Sequence, residues 1–171
     1  MNYRIIGNTG IEVSEIGFGA WGIGGESLNA PGYGEVDDNE SLKALRFAYE
    51  KGVTFYDTAD LYGDGHSERI IAKAFDGLRD KIIIASKGGT LPHTGLYMPQ
   101  DFSARHLNKA LDQSLKRLKT DYIDIYQLHS PKIEDIEKNE CIETLNRFKK
   151  TGKIREFGVS VRDPLDAKYL I

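Results

Sequence analysis

The chain has 171 residues, 40% hydrophobic, 10% aromatic and 29% charged, which is enough apolar material for one folded domain with a core and argues against disorder. A net charge of −3 and a pI near 5.8 lack the basic excess of a nucleic-acid binder, and apolar runs such as Ile82-Ile83-Ile84-Ala85 fall far short of the ~18 residues that cross a bilayer. The first ten residues hold no signal-like apolar block, and the lone Cys141 excludes an internal disulfide, so a cytoplasmic protein without membrane or nucleic-acid partners is expected.

Nine of the eighteen glycines lie between Gly7 and Gly34, which predicts turns and an irregular loop in the first fifth of the chain. Tyr3 to Ile6 and Ile11 to Val13 flank the turn set Gly7-Asn8-Thr9-Gly10 and predict a β-hairpin. Glu15 to Trp21 reads as a strand. Asp38 then stands where it could cap a helix carrying Leu42, Leu45 and Tyr49, which stops at Gly52. Val53 to Asp57 is β-branched and aromatic and reads as the second strand after the hairpin. Ser67 to Leu78 reads as a helix with Ile70, Ile71, Ala74, Phe75 and Leu78 on one side.

Lys81 to Ser86 is the third strand, and a long loop, Gly88 to Asp101, leads to a helix over Ser103 to Leu118 with a stripe of Leu107, Leu111, Leu115 and Leu118. Tyr122 to Leu128 is the fourth strand. Ile133 to Lys150 reads as one helix with Cys141, Leu145 and Phe148 on a face, ended by Gly152, and Ile154 to Val159 is the fifth strand. Strand and helix alternating with such short connections imply parallel strands joined by right-handed crossovers, hence an α/β fold. An open doubly wound sheet and a closed eight-stranded barrel both satisfy that pattern.

Gly17-Phe18-Gly19-Ala20-Trp21-Gly22 fits the dinucleotide fingerprint G-x-G-x-x-G, but that motif needs a helix N-terminus directly after the turn. Gly24, Gly25, Pro31, Gly32 and Gly34 make the next stretch non-helical, so the fingerprint is rejected. The strand ends are more informative. Successive hydrophobic runs finish in Asp57, Lys87, His129 and Ser160. Side chains alternate along a strand, so Asp57 shares a face with Phe55, Lys87 with Ala85, and His129 with Gln127. These three are expected to point inward at the C-terminal rim, where barrel enzymes gather their catalytic groups.

Tyr62, five residues past Asp57, can lean over the same rim. A lysine at the edge of an apolar lumen needs an anion, and Asp57 is available. Tyrosine is a poor proton donor near neutrality unless a cation stabilises the phenolate that donation leaves, and Lys87 supplies that cation. His129 can then hold the carbonyl oxygen that Tyr62 protonates. Each of these residues alone fits an ordinary structural role; the four together specify a chemistry. The four histidines show no metal-ligand spacing, and no metal is expected.

In order and spacing, Phe55-Tyr56-Asp57-Thr58-Ala59-Asp60-Leu61-Tyr62-Gly63, Ser86-Lys87, Tyr122 through His129 and Gly152 through Ser160 resemble the aldo/keto reductase family, and Gly7 through Ser14 looks like that family's N-terminal hairpin. Gly63-Asp64-Gly65-His66-Ser67-Glu68 is similar to the branch containing general-stress reductases and potassium-channel β-subunits. The resemblance implies a (β/α)8 barrel and NADPH-dependent reduction of an aldehyde or ketone. In it Tyr62 would be the proton donor, Lys87 and Asp57 its tuning pair, and His129 the group orienting the carbonyl. It also places Ala20, Trp21, Asp57 and Ser160 by the cofactor, while Val161 stands where many members have an asparagine.

A complete barrel typically takes ~250 residues. A single partial barrel of about five strands is therefore expected, with the hairpin over 3–13, β/α units from 15 onward and the last three strands absent. Such a chain would be weak or inactive without the C-terminal part of the cofactor site. It would self-associate or recruit a complementary C-terminal chain over its open strand edges, and a non-catalytic interaction module is the alternative.

Overall fold

A computed structural model describes residues 1–26, 32–93, 97–138 and 140–170. An antiparallel hairpin comes first, β1 (Tyr3–Ile5) against β2 (Glu12–Ser14), with Tyr3 opposite Ser14 and Ile5 opposite Glu12. The Thr9 hydroxyl donates to the Ile6 carbonyl at 2.6 Å and closes the turn. Five parallel strands then stand side by side in chain order: β3 (Gly17–Gly19), β4 (Phe55–Asp57), β5 (Ile83–Gly88), β6 (Ile123–His129) and β7 (Ile154–Ser160). Between them run α1 (Asp38–Glu50), α2 (His66–Ala74), α3 (Ala104–Leu118), α4 (Ile133–Lys138) and α5 (Cys141–Lys150), and α6 (Pro164–Leu170) follows β7. Sequential parallel strands, each joined through helix, are the arrangement of a partial (β/α)8 barrel preceded by a hairpin.

Several boundaries differ from the sequence expectation, each for a local reason. The Glu15 N–H donates to the Asn2 carbonyl at 2.9 Å, so Glu15 extends the hairpin and β3 begins only at Gly17. The cap of α1 is Asp37, not Asp38: the Asp37 carboxylate accepts from the Asn39 and Glu40 N–H groups, while Asp38 lies inside the helix and bonds His66. Helix α2 ends at Ala74, because Gly77 takes φ +75° and Leu78 turns back onto the Phe75 carbonyl. The stretch read as one helix over 133–150 is two, since the apolar stripe belongs to α5 alone and α4 buries no residue. Asn139 between them, Pro31 in the early loop and 94–96 in the loop after β5 lie outside the described residues.

The main core lies between the sheet and its helices. Tyr56, Ile84, Tyr126 and Leu128 point to that side and are essentially inaccessible, against Ile71, Phe75, Leu107, Leu111, Leu145 and Phe148. Tyr56 meets Phe75 with ring centroids 4.6 Å apart, and Tyr126 meets Phe148 edge-on at 6.4 Å. The other face carries Phe55, Asp57, Ile83, Ile125 and Gln127, all only part-buried. This alternation is what turns the strand-end polar groups away from the helices.

Two buried carboxylates fasten the layers. Asp124, near the start of β6, accepts from Arg79 at 2.7 Å, Arg155 at 2.7 Å and the Ile84 N–H at 3.0 Å, tying β5, β6 and β7 together. Glu68, wholly buried on α2, accepts from Arg117 of α3 at 2.5 Å and from Ser86 of β5 at 2.6 Å. No described helix is long and apolar enough to cross a membrane.

Candidate active site

Strand register stacks the candidate residues in steps. Gly19, Asp57, Ala85 and Ile125 share one level, Lys87, Gln127 and Gly158 the next, and His129 with Ser160 the one above. Residues paired across parallel strands point to the same side, so Asp57, Lys87, His129 and Ser160 all face the side away from the helices. The stagger brings groups 30 and 25 residues from Lys87 in sequence within reach of its ammonium.

Lys87, 5% exposed, spends its three N–H bonds on three oxygens. Its Nζ donates to Asp57 Oδ1 at 2.5 Å, the Thr58 carbonyl at 2.9 Å and Tyr62 Oη at 3.3 Å. Because the ammonium donates to the phenol oxygen, the phenolic proton is free to point elsewhere. Asp57 keeps about a third of its side chain exposed, so the pair is only partly desolvated.

His129 presents its ring edge-on to Tyr62, with centroids 5.9 Å apart. Burial, and then the Lys87 charge, push the imidazole down to about 4, which leaves it neutral at pH 7. Its Nδ1 is buried without a partner among the described residues, and with the ring proton on Nε2 the neutral imidazole can serve as a donor there.

Trp21 lies over Tyr62 with centroids 6.0 Å apart and planes 26° from parallel, and Tyr33 packs against its indole at 4.6 Å. The Trp21 loop rides directly on the Tyr62 loop. Gly63 has φ +58°, and any side chain there would overlap the Gly24 carbonyl. Ala20 is the expected site residue that does not reach the open side. It is fully buried, its N–H donates to the Asp57 carbonyl at 2.8 Å, and its carbonyl accepts from Ser67 at 2.7 Å. Ser160, half-buried, ends β7 beside His129.

The residues present suit a flat nicotinamide ring. Gly19 has nothing within 4 Å of where a side chain would begin, Gly158 meets only Gln127 at 3.9 Å, and the Ser160 hydroxyl can bond a carboxamide. After the fingerprint glycines the chain turns at Trp21, and among the described residues no helix begins before Asp38, so no pyrophosphate-binding helix N-terminus directly follows the turn. Among the described residues, no three of His, Cys, Asp and Glu converge as metal ligands. The strand-end logic did not find Thr58, Ser67, Glu68 or Asp124; the pattern of polar residues on helix-facing positions was the only available signal.

Comparison with known proteins places this arrangement in a family. The aldo/keto reductase family model matches residues 15–170, and the chain belongs to that family. It is 42% identical over 168 residues to the aldo-keto reductase YhdN of Bacillus subtilis (strain 168), covering 94% of this chain and 47% of that protein. A solved aldo-keto reductase from Bacillus halodurans, in its holo form, superposes with a TM-score of 0.84 at 35% identity, over 99% of this chain and 54% of the other. An aldo-keto reductase from Klebsiella pneumoniae, solved in complex with NADPH, gives a TM-score of 0.70 at 32% identity, over 93% of this chain and 49% of the other. The chain thus spans about half the length of the curated relatives it matches.

Proposed function

We propose that the protein carrying this chain is a cytoplasmic, NADPH-dependent reductase that converts a small aldehyde or ketone to the alcohol. One observation carries the reading: a buried ammonium that holds Asp57, the Thr58 carbonyl and the Tyr62 phenol oxygen together. NADPH, when bound, supplies the hydride that adds to the carbonyl carbon. Tyr62 gives its phenolic proton to the carbonyl oxygen, and Lys87 stabilises the phenolate left behind until solvent returns a proton. Asp57 balances the charge of the buried ammonium. Neutral His129 donates from Nε2 to the same carbonyl oxygen and fixes its direction without competing as an acid. Ser160 would hold the carboxamide of the nicotinamide and Trp21 would cover its ring.

The bound NADPH of the Klebsiella pneumoniae relative supports the cofactor assignment. The test is nicotinamide-absorbance turnover of a model aldehyde, with Tyr62→Phe as the control: abolished reduction with retained fold supports the reading, and undiminished reduction overturns it. Titrating the 171-residue chain with NADPH reads how much of the cofactor the described residues hold by themselves.

A second reading, an interaction module that uses strand edges, is favoured by one feature. Strands β3 and β7 each have a single neighbour among the described strands, and α6 leaves Leu165 and Tyr169 72% and 63% exposed. A strictly monomeric 171-residue chain at high concentration in sedimentation removes it.

A further inference from the structure

Behind the rim lies a short hydrogen-bond chain that no step of the proposed reaction uses. The Ser67 hydroxyl donates to the Ala20 carbonyl at 2.7 Å and lies 2.8 Å from the Thr58 hydroxyl. Its one proton is committed to Ala20, so Thr58 must be the donor to Ser67. Ala20, Thr58 and Ser67 are all 0% exposed, which keeps the chain of bonds out of contact with bulk solvent. The Ser67 N–H, one of the unsatisfied donors in the first turn of α2, donates in turn to the Tyr62 carbonyl at 3.3 Å.

Through these bonds one residue reaches the Trp21 loop, the backbone that holds Lys87, and Tyr62. Ala20 precedes Trp21, the aromatic cover of Tyr62. Thr58 follows Asp57, and its carbonyl is one of the three oxygens that hold Lys87. Tyr62 is bonded directly. We infer that Ser67, acting with Thr58, is a positioning residue that sets the Trp21 loop and the Lys87–Tyr62 pair in fixed register. Removing the Ser67 hydroxyl takes the donor from the Ala20 carbonyl and the acceptor from Thr58, and removing the Thr58 hydroxyl leaves the buried Ser67 oxygen one donor short. Loosening on the scale of one such bond raises the open population of the Trp21 loop on the order of tenfold.

This inference rests on the reductase reading only for its consequence, because its test needs no turnover. Trp21 is the single tryptophan of the chain, so its fluorescence reports this loop alone. In Thr58→Val and Ser67→Ala, acrylamide quenching of Trp21 is expected to rise by about twofold as the population opens, while Thr58→Ser, which restores the hydroxyl, is expected to quench like the unaltered chain. Folded variants with unchanged quenching, or a Thr58→Ser that behaves like Thr58→Val, overturn the inference.

Should the two hydroxyl-less variants lose their cooperative melts, amide exchange in the unaltered chain decides. The Ala20 and Ser67 amides, in one coupled unit, must exchange with protection alike within about threefold, and a tenfold disparity overturns the coupling. In the holoenzyme, reduced turnover that follows the quenching series, with Thr58→Ser restoring both, supports positioning. Normal quenching beside lost turnover counts against the inference, and raised quenching without any turnover in the parent counts against the reductase reading alone.

Discussion

Strand β6 carries a charge cluster near each end, and the two are built to opposite ends. Near its start, Asp124 is 1% exposed and accepts from two arginines and a backbone N–H, so each of its carboxylate oxygens has a charged donor. At its finish, His129 stands beside a single ammonium shared among a part-exposed carboxylate, a carbonyl and a phenol, and its own Nδ1 has no partner. A saturated cluster holds strands together and has nothing left to offer a ligand. An unsaturated one keeps a phenolic proton and an imidazole N–H that can act on a substrate. The contrast matches the general division of barrels into a stabilising end and a reactive end.

The sharpest way to break the comparison is at the rim. Tyr62→Phe is expected to lower carbonyl reduction by about 10²–10⁴-fold, the range for a lost general acid, with a nearly unchanged urea midpoint. A shifted midpoint with modest loss of turnover would make the rim structural. Asp124→Ala is the converse: stability should fall by about 2–3 kcal/mol in urea unfolding, because two part-exposed arginines and the Ile84 N–H lose their shared acceptor. Turnover per folded molecule should persist, and its disappearance would erase the division of labour.

Between the clusters, Asp60 gives a smaller effect of opposite sign. Burial, and then the Glu68 charge, push its carboxyl up to about 8, and its Oδ1 has no partner. Between the ordinary carboxylate value near 4 and about 8, the folded chain holds a proton that the unfolded chain has released, so this group's contribution to stability falls as pH rises through that window. Asp60→Asn is expected to stabilise the chain at pH 8 by about 1–3 kcal/mol and to flatten that decline, measured by urea melts at several pH values.

The last test lies at His129. Its imidazole proton resonances should titrate near 4, while the unfolded ring takes up its proton near 6.5. The unfolded chain therefore binds the extra proton in that interval, and the stability contributed by the neutral ring is lost as pH falls from 6.5 towards 4. A midpoint above about 7 in the folded chain would mean an imidazolium at the rim near neutral pH and would undo the neutral-donor role.

Much of this organisation was legible before any coordinates. Apolar runs and helical stripes marked the alternation, and two-residue parity put Asp57, Lys87 and His129 on one side of the sheet. Local competition blurred the ends of elements. Asp37 and Asp38 are equally good caps by type, and only backbone direction chose the first. The stripe of Cys141, Leu145 and Phe148 could not reveal that the turn before it buries nothing.

What the sequence by itself determined is the kind of fold and which polar side chains meet the rim, because strand parity and helix period act within a few residues. The tertiary structure alone decided that one ammonium satisfies three oxygens and that Ser67 links Ala20 to Thr58. Those bonds join residues as many as 47 positions apart, and their geometry depends on strand stagger and helix placement that no local period encodes.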